Sequence, residues 1–449
     1  MSQIDYNLLQ SIIDIQSNLF KISNNNSSFF YPTIDDIKKA IKEENINFND
    51  RKKRFILSQQ SKKRFGYKYD KNSLEYIICL YLKKRIDAEF KITFPNRNKI
   101  IRSLFGTLTL LKNMQNFTIY KFDFKNFFNS ISNDYVNQNY LKESNLSRAE
   151  KALITQYCNC FKYTFSGLSL SNTLCELVAR DFDNILNQKL KDLGIIFYQR
   201  YIDDCLIISN INIEENSLKK IIEEAIYTVF YKNKINIIKC KVKLNPNKFN
   251  YISKYNLKQL KELKFLGYQI NFELENNSNK IKLTYGITKE KITKYQNKLN
   301  NLIADNIKNE LSGEILRQKI KAFCHRIVYL SIHKNNTIWK SKGIIANYAE
   351  LQYYLTELIP DTKTFLENAV KDAFKQNNLP LPYYLKSLNN SYTLLNTLEN
   401  KRSMIFVERI GYNLKTLKGL ARKIGLRNMK GLTYNQILGK YLIALKVGF

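Results

Sequence analysis

Histidine is nearly absent from this 449-residue chain. There are two, His325 and His333, and neither has a clear partner. Histidine-led acid–base chemistry and zinc chemistry are therefore not expected. The seven cysteines include no Cys-x-x-Cys pair. Cys158-x-Cys160 is the only close pair, and no nearby Cys or His completes a zinc site. An odd number of cysteines without a secretion signal reads as reduced thiols, mostly buried. No run of about 18 uncharged apolar residues occurs, so no transmembrane helix is expected. Met1-Ser2-Gln3-Ile4-Asp5 lacks the basic start and apolar core of a signal peptide, which makes cytoplasmic the expected location. Acid is scarce too: 39 Asp and Glu stand against 72 Lys and Arg, a formal charge of +33. A chain this basic most often meets a polyanion, nucleic acid above all. A lysine-rich, low-GC composition accounts for part of that excess. If the protein is an enzyme, carboxylates and metal ions are its expected agents.

What is present is ample for burial. Hydrophobic residues make up 44% and aromatics 13%. The length suggests two to four packed units. Residues 1–90 read as helices broken at residues 23–28, with a basic–aromatic loop over residues 61–69. Such interleaving suits phosphate contact with base stacking, and suits a solvated surface equally. Residues 117–124 alternate as a buried strand that ends in Asp123. Residues 165–173 form a small-residue loop that opens a helix over 174–193. Residues 195–198 and 205–208 are apolar, β-prone arms, with Asp203-Asp204 at the tip between them. On that stretch alone, an ordinary Asp-Asp turn is as good a reading. Strands are expected over residues 237–244, 263–270 and 281–285, with a turn at 275–279 between the last two. From Thr288 the chain reads as essentially helical, with Trp339 in its core. Lys291, Lys294 and Lys298 form a stripe on the first of these helices; a solvated face explains such a stripe as readily as a ligand does. Leu379-Pro380-Leu381-Pro382 marks a boundary. Residues 414–426 and 432–438 then read as helix–loop–helix.

A lone carboxylate ending a buried strand needs a reason, because burying an unpaired charge is costly. The order β–α–β–β–α–β can bring the end of one strand beside the tip of a neighbouring hairpin. Asp123 and Asp203 would then converge. Two such carboxylates can hold two Mg²⁺ ions about 3.5–4 Å apart, one activating a 3′-hydroxyl and the other neutralising a triphosphate. No histidine is needed.

Asp123-Phe124-Lys125-Asn126-Phe127-Phe128, Ser166-Gly167-Leu168-Ser169-Leu170-Ser171, Tyr201-Ile202-Asp203-Asp204 and Lys264-Phe265-Leu266-Gly267-Tyr268 occur in the order of the reverse-transcriptase motifs. Over residues 90–285 the chain resembles that family. The resemblance implies an α+β right-hand polymerase with a ferredoxin-like palm and fingers. An all-helical thumb-like and C-terminal region would follow. It places an N-terminal helical and fingers region at 1–116 and a palm at 117–287, with a fingers insertion around 133–165. A helical thumb-like domain at 288–378 and a small basic helical region at 379–449 complete it. It implies that Asp123 and Asp203 bind metal, with the Phe124 carbonyl as a backbone ligand and Asp204 as a supporting acid. Phe128 matches the steric gate that favours deoxynucleotides. Ser166 and Gly167 lie under the template and incoming base. Arg97, Lys99 and Arg102 contact the triphosphate. Lys248 matches a lysine that protonates the leaving pyrophosphate, although a turn lysine is an equal reading of it. Phe265, Leu266, Gly267 and Tyr268 resemble the primer grip. The cofactor implied is a pair of Mg²⁺ ions, with Mn²⁺ as a substitute.

The loop departs from the common pattern, with Phe165-Ser166 before the glycine and Ser171-Asn172 after it. It is more similar to the bacterial abortive-infection and defence-associated reverse transcriptases. That similarity implies DNA synthesis from dNTPs in anti-phage defence. Synthesis would either copy a small partner RNA or be untemplated and primed by a protein tyrosine. Tyr6, Tyr383 and Tyr384 are candidates for such a primer. RNA and DNA are the implied partners; a homo-oligomer and a partner defence protein are compatible with the resemblance, and a membrane is not implied. No ribonuclease H or His-Asn-His endonuclease segment is recognisable. Two other readings stay open. One is a non-catalytic nucleic-acid binder on a polymerase scaffold, and the other is a template-independent nucleotidyltransferase.

Overall fold

The computed structural model describes residues 4–23, 30–57, 64–231, 240–257, 259–275, 280–333, 336–385 and 393–445. Residues 24–28, 61–63, 237–239 and 276–279, which carry the expected helix break and parts of an expected loop, strand and turn, lie outside them. The chain divides into two compact units. One comprises residues 1–100 with 114–256, and the other residues 101–113 with 257–449. Among the described residues no helix is long and apolar enough to cross a membrane.

In the first unit, β1 (Lys53–Leu57) and β2 (Arg64–Lys68) pair antiparallel. Residues 64–68 are thus strand, where a loop was expected. The reason is period-two alternation: Phe65 and Tyr67 lie on the β2 arm opposite Ile56 and Arg54. Lys68, one of the basic residues that suggested a loop, is itself paired with Lys53.

A five-stranded sheet carries the rest of this unit. Its centre is β3 (Thr118–Lys125), in which all residues but Lys121 and Lys125 are buried. β4 (Ile195–Tyr201) and β5 (Asp204–Ser209) form an antiparallel hairpin, and β5 lies along β3. On its other edge β3 pairs with β6 (Lys243–Leu244) and β7 (Asn250–Ser253). Inside this five-stranded sheet β3 has buried residues on both faces, which suits its near-continuous apolar run. The Ser169–Lys189 helix covers one face. Its buried Leu170, Leu174, Val178, Phe182 and Leu186 recur at helical spacing. Phe182 meets Phe124 edge-on with ring centroids 5.1 Å apart, and Phe127 stacks on Phe124 at 5.1 Å. The helix begins at Ser169, inside the expected loop, so Ser171 and Asn172 are helical and do not cap it.

The second unit opens on most of the Arg97–Leu111 helix. β8 (Lys261–Phe265), β9 (Tyr268–Leu274) and β10 (Ile281–Ile287) form a meander. The expected single strand over 263–270 is therefore two. Leu266 and Gly267 both have positive φ, 48° and 84°, and make the two-residue turn between them. A leucine at the first of these positions hides the turn, because Asn or Gly would normally announce it.

Downstream of the Lys289–Lys308 and Gly313–Cys324 helices, the expectation of an all-helical region fails. β11 (Arg326–His333), β12 (Asn336–Lys342) and β13 (Ser403–Phe406) make a three-stranded sheet, with β11 and β13 parallel. β-Branched residues in Ile327, Val328, Ile332, Thr337 and Ile338 favour this state. The helices on either side masked it. Trp339, expected in the core, is 55% exposed because it lies on the edge strand of this sheet. The Leu414–Lys423 and Tyr434–Ala444 helices follow the expected helix–loop–helix, each with its N-cap side chain, Asn413 and Thr433, bonded to the first turn.

His325 sits at the end of the Gly313–Cys324 helix and is 5% exposed. Burial pulls its pKa down to about 4, the Lys321 and Arg402 charges add to this, and the bond to the Lys321 carbonyl opposes it. Its neutral form is therefore bound into the fold, and the unfolded chain takes up the proton first. Stability contributed here is full above pH ~6.5 and falls as pH drops toward 4, by up to about 3 kcal/mol at 1.36 kcal/mol per unit. Urea midpoints of the wild type at pH 7.5 and 4.5 should differ by more than those of His325→Gln. An equal pH dependence in the two proteins would assign it elsewhere.

Candidate functional site

The strand end and the hairpin tip do meet in the first unit. Asp123 of β3 lies in register with Asp204 of β5. Asp203 precedes it in the tight turn, and the Asp203 carbonyl accepts from the Phe124 amide at 3.3 Å. Ile202, in the same turn, has φ of 61°. A β-branched residue in that region is strained and persists only where its surroundings hold it. Arg200 is what holds it. Its Nη1 donates to the Ile202 carbonyl at 3.1 Å.

Arg200 is almost fully buried, with its side chain 3% exposed. It donates to Asp183 through Nε and Nη2, at 3.0 and 2.9 Å, and to Glu176 through Nη2 at 2.7 Å. Tyr198 also donates to Asp183, at 2.6 Å. Burial works against the guanidinium charge, but Asp183 and then Glu176 outweigh it and raise its pKa. Asp183 and Glu176 lie two turns apart on one face of the Ser169–Lys189 helix. This network was not read from the sequence. The signal was available: two acids seven residues apart in a helical stretch, and an arginine just before the paired aspartates.

Asp123 is 4% exposed. Its carboxylate accepts from Asn245 Nδ2 at 3.2 Å and from Lys248 Nζ at 3.1 Å. The Asn245 amide also bonds the Asp123 carbonyl at 2.9 Å. The turn after β6 thus wraps the strand end, and Asn245 joins the candidate residues. Asp204 pairs with Lys121 at 3.4 Å. Asp203 has its pKa raised to about 6, by burial first and then by the Asp123 and Asp204 charges, with Lys248 pulling the other way. Three carboxylates close enough to repel are a place that draws cations. Their donors are hard oxygens, which suit Mg²⁺. Among the described residues, no group of three or more Asp, Glu, His or Cys side chains is already arranged around a common ion position. Lys248 and Asn245 instead satisfy Asp123.

The Ser166–Gly167 loop lies against the β1–β2 pair. The Tyr67 amide donates to the Ser166 carbonyl at 3.1 Å. Gly167 has φ of 98°, and a Cβ there would stand 2.4 Å from the Tyr67 carbonyl. Only glycine fits this approach. Phe128 is half-buried on the Phe127–Ser130 helical turn. The Thr164 hydroxyl donates to its carbonyl, tying that turn to the segment preceding the loop. Arg97 and Lys99 lie in the first turn of the Arg97–Leu111 helix, where the Asn96 side chain caps the Lys99 amide. Arg102 belongs to the second unit and pairs there with Glu350 at 3.2 Å. Phe265 and Tyr268 flank the Leu266–Gly267 turn of the second unit. Both rings are buried, and Tyr268 donates to the Asn347 carbonyl. Of the tyrosines considered, Tyr6 starts the Tyr6–Ser23 helix under Lys38, and Tyr383 is 90% exposed.

Residues 68–270 match the model of the family described as reverse transcriptase (RNA-dependent DNA polymerase). The match runs from the end of β2 into β9 and covers just under half of the chain. It contains Asp123, the Ser166–Gly167 loop, the Asp203–Asp204 hairpin and Lys248. This similarity supports a nucleotidyl polymerase of reverse-transcriptase type. No curated protein sequence matches the chain.

Proposed function

We propose that the chain is a DNA polymerase of reverse-transcriptase type that adds deoxynucleoside monophosphates to a 3′-hydroxyl by two-metal catalysis. The observation that carries this reading is the crowding of Asp123, Asp203 and Asp204 at the end of β3, which raises the Asp203 pKa to about 6. In this reading residues 117–287 are the palm and 288–378 the thumb. Asp123, Asp203 and the Phe124 carbonyl hold the ions, with Asp204 in support. Bound Mg²⁺ or Mn²⁺ would supply the positive charge that lowers the hydroxyl pKa and neutralises the leaving pyrophosphate. Lys248 acts as a stand-in cation on Asp123 until then. Once displaced, its ammonium has a proton to give to pyrophosphate. Arg97, Lys99 and Arg102 bind the triphosphate, Arg102 by exchanging Glu350 for it. Phe128 excludes the 2′-hydroxyl, Ser166 and Gly167 support the template–nucleotide pair, and residues 265–268 hold the primer.

The unusual Ser166–Ser171 segment motivates the finer proposal of an anti-phage role, with a small RNA copied or DNA made without a template from a tyrosine. A non-catalytic nucleic-acid binder has one observation in its favour, the ion pair that closes Lys248 onto Asp123. Labelled dNTP and NTP incorporation by the full chain, with and without added RNA, separates these readings. Incorporation of dNTPs supports polymerase activity, and none under any condition favours the binder. Incorporation unaffected by RNA favours the template-independent enzyme. Plaque counts on cells carrying the wild type or an inactive variant test the defence role, and equal counts overturn it. Phe128→Ala should lower the preference for dNTP over NTP by about tenfold or more, the scale on which pocket shape discriminates. Unchanged preference removes the gate from Phe128.

A further inference from the structure

Lys291, Lys294 and Lys298 do more than face water. All three line one cavity of about 300 Å³ in the second unit, at the small end of ordinary ligand sites. The Lys289–Lys308 helix forms one wall. Lys342, at the end of β12, and Asn347, from the segment after it, stand on another. Tyr295 joins them, with its hydroxyl oxygen accepting from Asn347 Nδ2 at 3.4 Å. Among the described residues, no carboxylate lines this cavity.

Four lysines around one small cavity gather like charge, and two of them, Lys298 and Lys342, lose water there. Burial lowers the Lys298 pKa, with the Lys294 charge adding to it, and burial lowers that of Lys342. The Tyr329 ring beneath Lys342, at 5.7 Å from its ammonium, offsets part of the cost for that group. A multiply charged anion would relieve the rest. A carboxylate brings one charge and two acceptor oxygens in one plane. A phosphate brings more charge and oxygens pointing in several directions, which suits lysines that converge from opposing walls. The Tyr295 hydroxyl and Asn347 amide add neutral donors.

We propose that this cavity binds a phosphate group, held by Lys291, Lys294, Lys298 and Lys342. The group can belong to free phosphate, to a nucleic-acid end or to an internal phosphodiester. The proposal stands on the second unit alone and does not depend on polymerase activity.

The test uses the full-length protein in EDTA, so that no divalent ion recruits phosphate to the aspartates. The probes are inorganic phosphate and one short oligonucleotide carrying either a 5′-phosphate or a 5′-hydroxyl. Lys294→Glu with Lys298→Glu should weaken saturable binding of at least one probe by about tenfold or more, the scale of a lost charge-assisted bond. Lys308→Glu is the control, an exposed lysine on the same helix outside the cavity. Tighter binding of the 5′-phosphate form identifies an end, and equal binding of both oligonucleotides identifies a phosphodiester. Binding of inorganic phosphate alone identifies the free ion. Each of these, if lost in the cavity variant only, supports the site. Equal weakening by cavity variant and control, or weakening by neither, overturns it. Should the double variant not fold, lysine acylation of the wild type decides. Protection of Lys298 and Lys342 over Lys308 by the bound probe supports the site, and uniform labelling overturns it.

Discussion

Asp203→Ala with Asp204→Ala should abolish nucleotide incorporation, by roughly a thousandfold or more, the scale lost when electrostatic stabilisation of a transition state is removed. The fold should survive. Asp203 is a cost to the ion-free protein near neutral pH. Its folded pKa of about 6 lies above the ordinary carboxylate value, so the folded state holds the proton to a higher pH than the unfolded chain does. Ionising it therefore destabilises progressively from pH ~4 to ~6, and the cost is full above that window. Removing it relieves repulsion from Asp123. Asp204 gives up an ion pair with Lys121 in which both side chains are partly exposed, and such pairs contribute little, about 1 kcal/mol or less. The melting temperature at pH 7.5 in EDTA should thus be unchanged or higher. Lost incorporation with an intact melt would separate chemistry from unfolding. Incorporation near the wild-type rate would sink the assignment of these carboxylates to the reaction.

Arg200→Met should destabilise the first unit by about 3–5 kcal/mol, the usual cost of removing one partner from a buried ion network. The substitution leaves Asp183 and Glu176 unpaired in a largely buried setting and deprives the Ile202 carbonyl of its donor. Arg200→Lys should recover only part of this. One ammonium cannot reach Asp183, Glu176 and the turn carbonyl in the fixed geometry of a guanidinium fork. Because the strained turn carries Asp203, incorporation by Arg200→Lys should fall further than its stability does, chiefly through kcat. Denaturant midpoints and steady-state rates on both variants measure the two effects. A stable Arg200→Lys with full activity would mean that the turn keeps its shape without the fork.

Much of the candidate site is written locally. The run from Phe117 to Phe124 is β-prone and largely apolar, with one acid near its end. The apolar arms around Asp203-Asp204 can hardly be anything but a hairpin. Both signals are complete within about ten residues, because strand period and turn chemistry act at that range. The errors have the opposite character. Residues 64–68 resemble a loop to any local reading because their strand partner, residues 53–57, is a separate segment. The turn in 263–270 was missed because Leu266 takes a conformation that leucine seldom adopts. The β11–β13 pairing joins Ile327 to Met404 across several helices, and no local pattern announces a partner so distant.

What the sequence determined by itself is an inventory: almost no histidine, a large cationic excess, and four segments in the order of the reverse-transcriptase motifs, three aspartates among them. Only the tertiary structure decided what those groups touch. It set Lys248 and Asn245 on Asp123, put Arg200 beneath the strained turn, fitted Gly167 against Tyr67, and turned a lysine stripe into a lined cavity. Each of these depends on burial and charge between segments far apart in the chain. Such interactions gain their strength from the exclusion of water, and water is excluded only once the chain has packed.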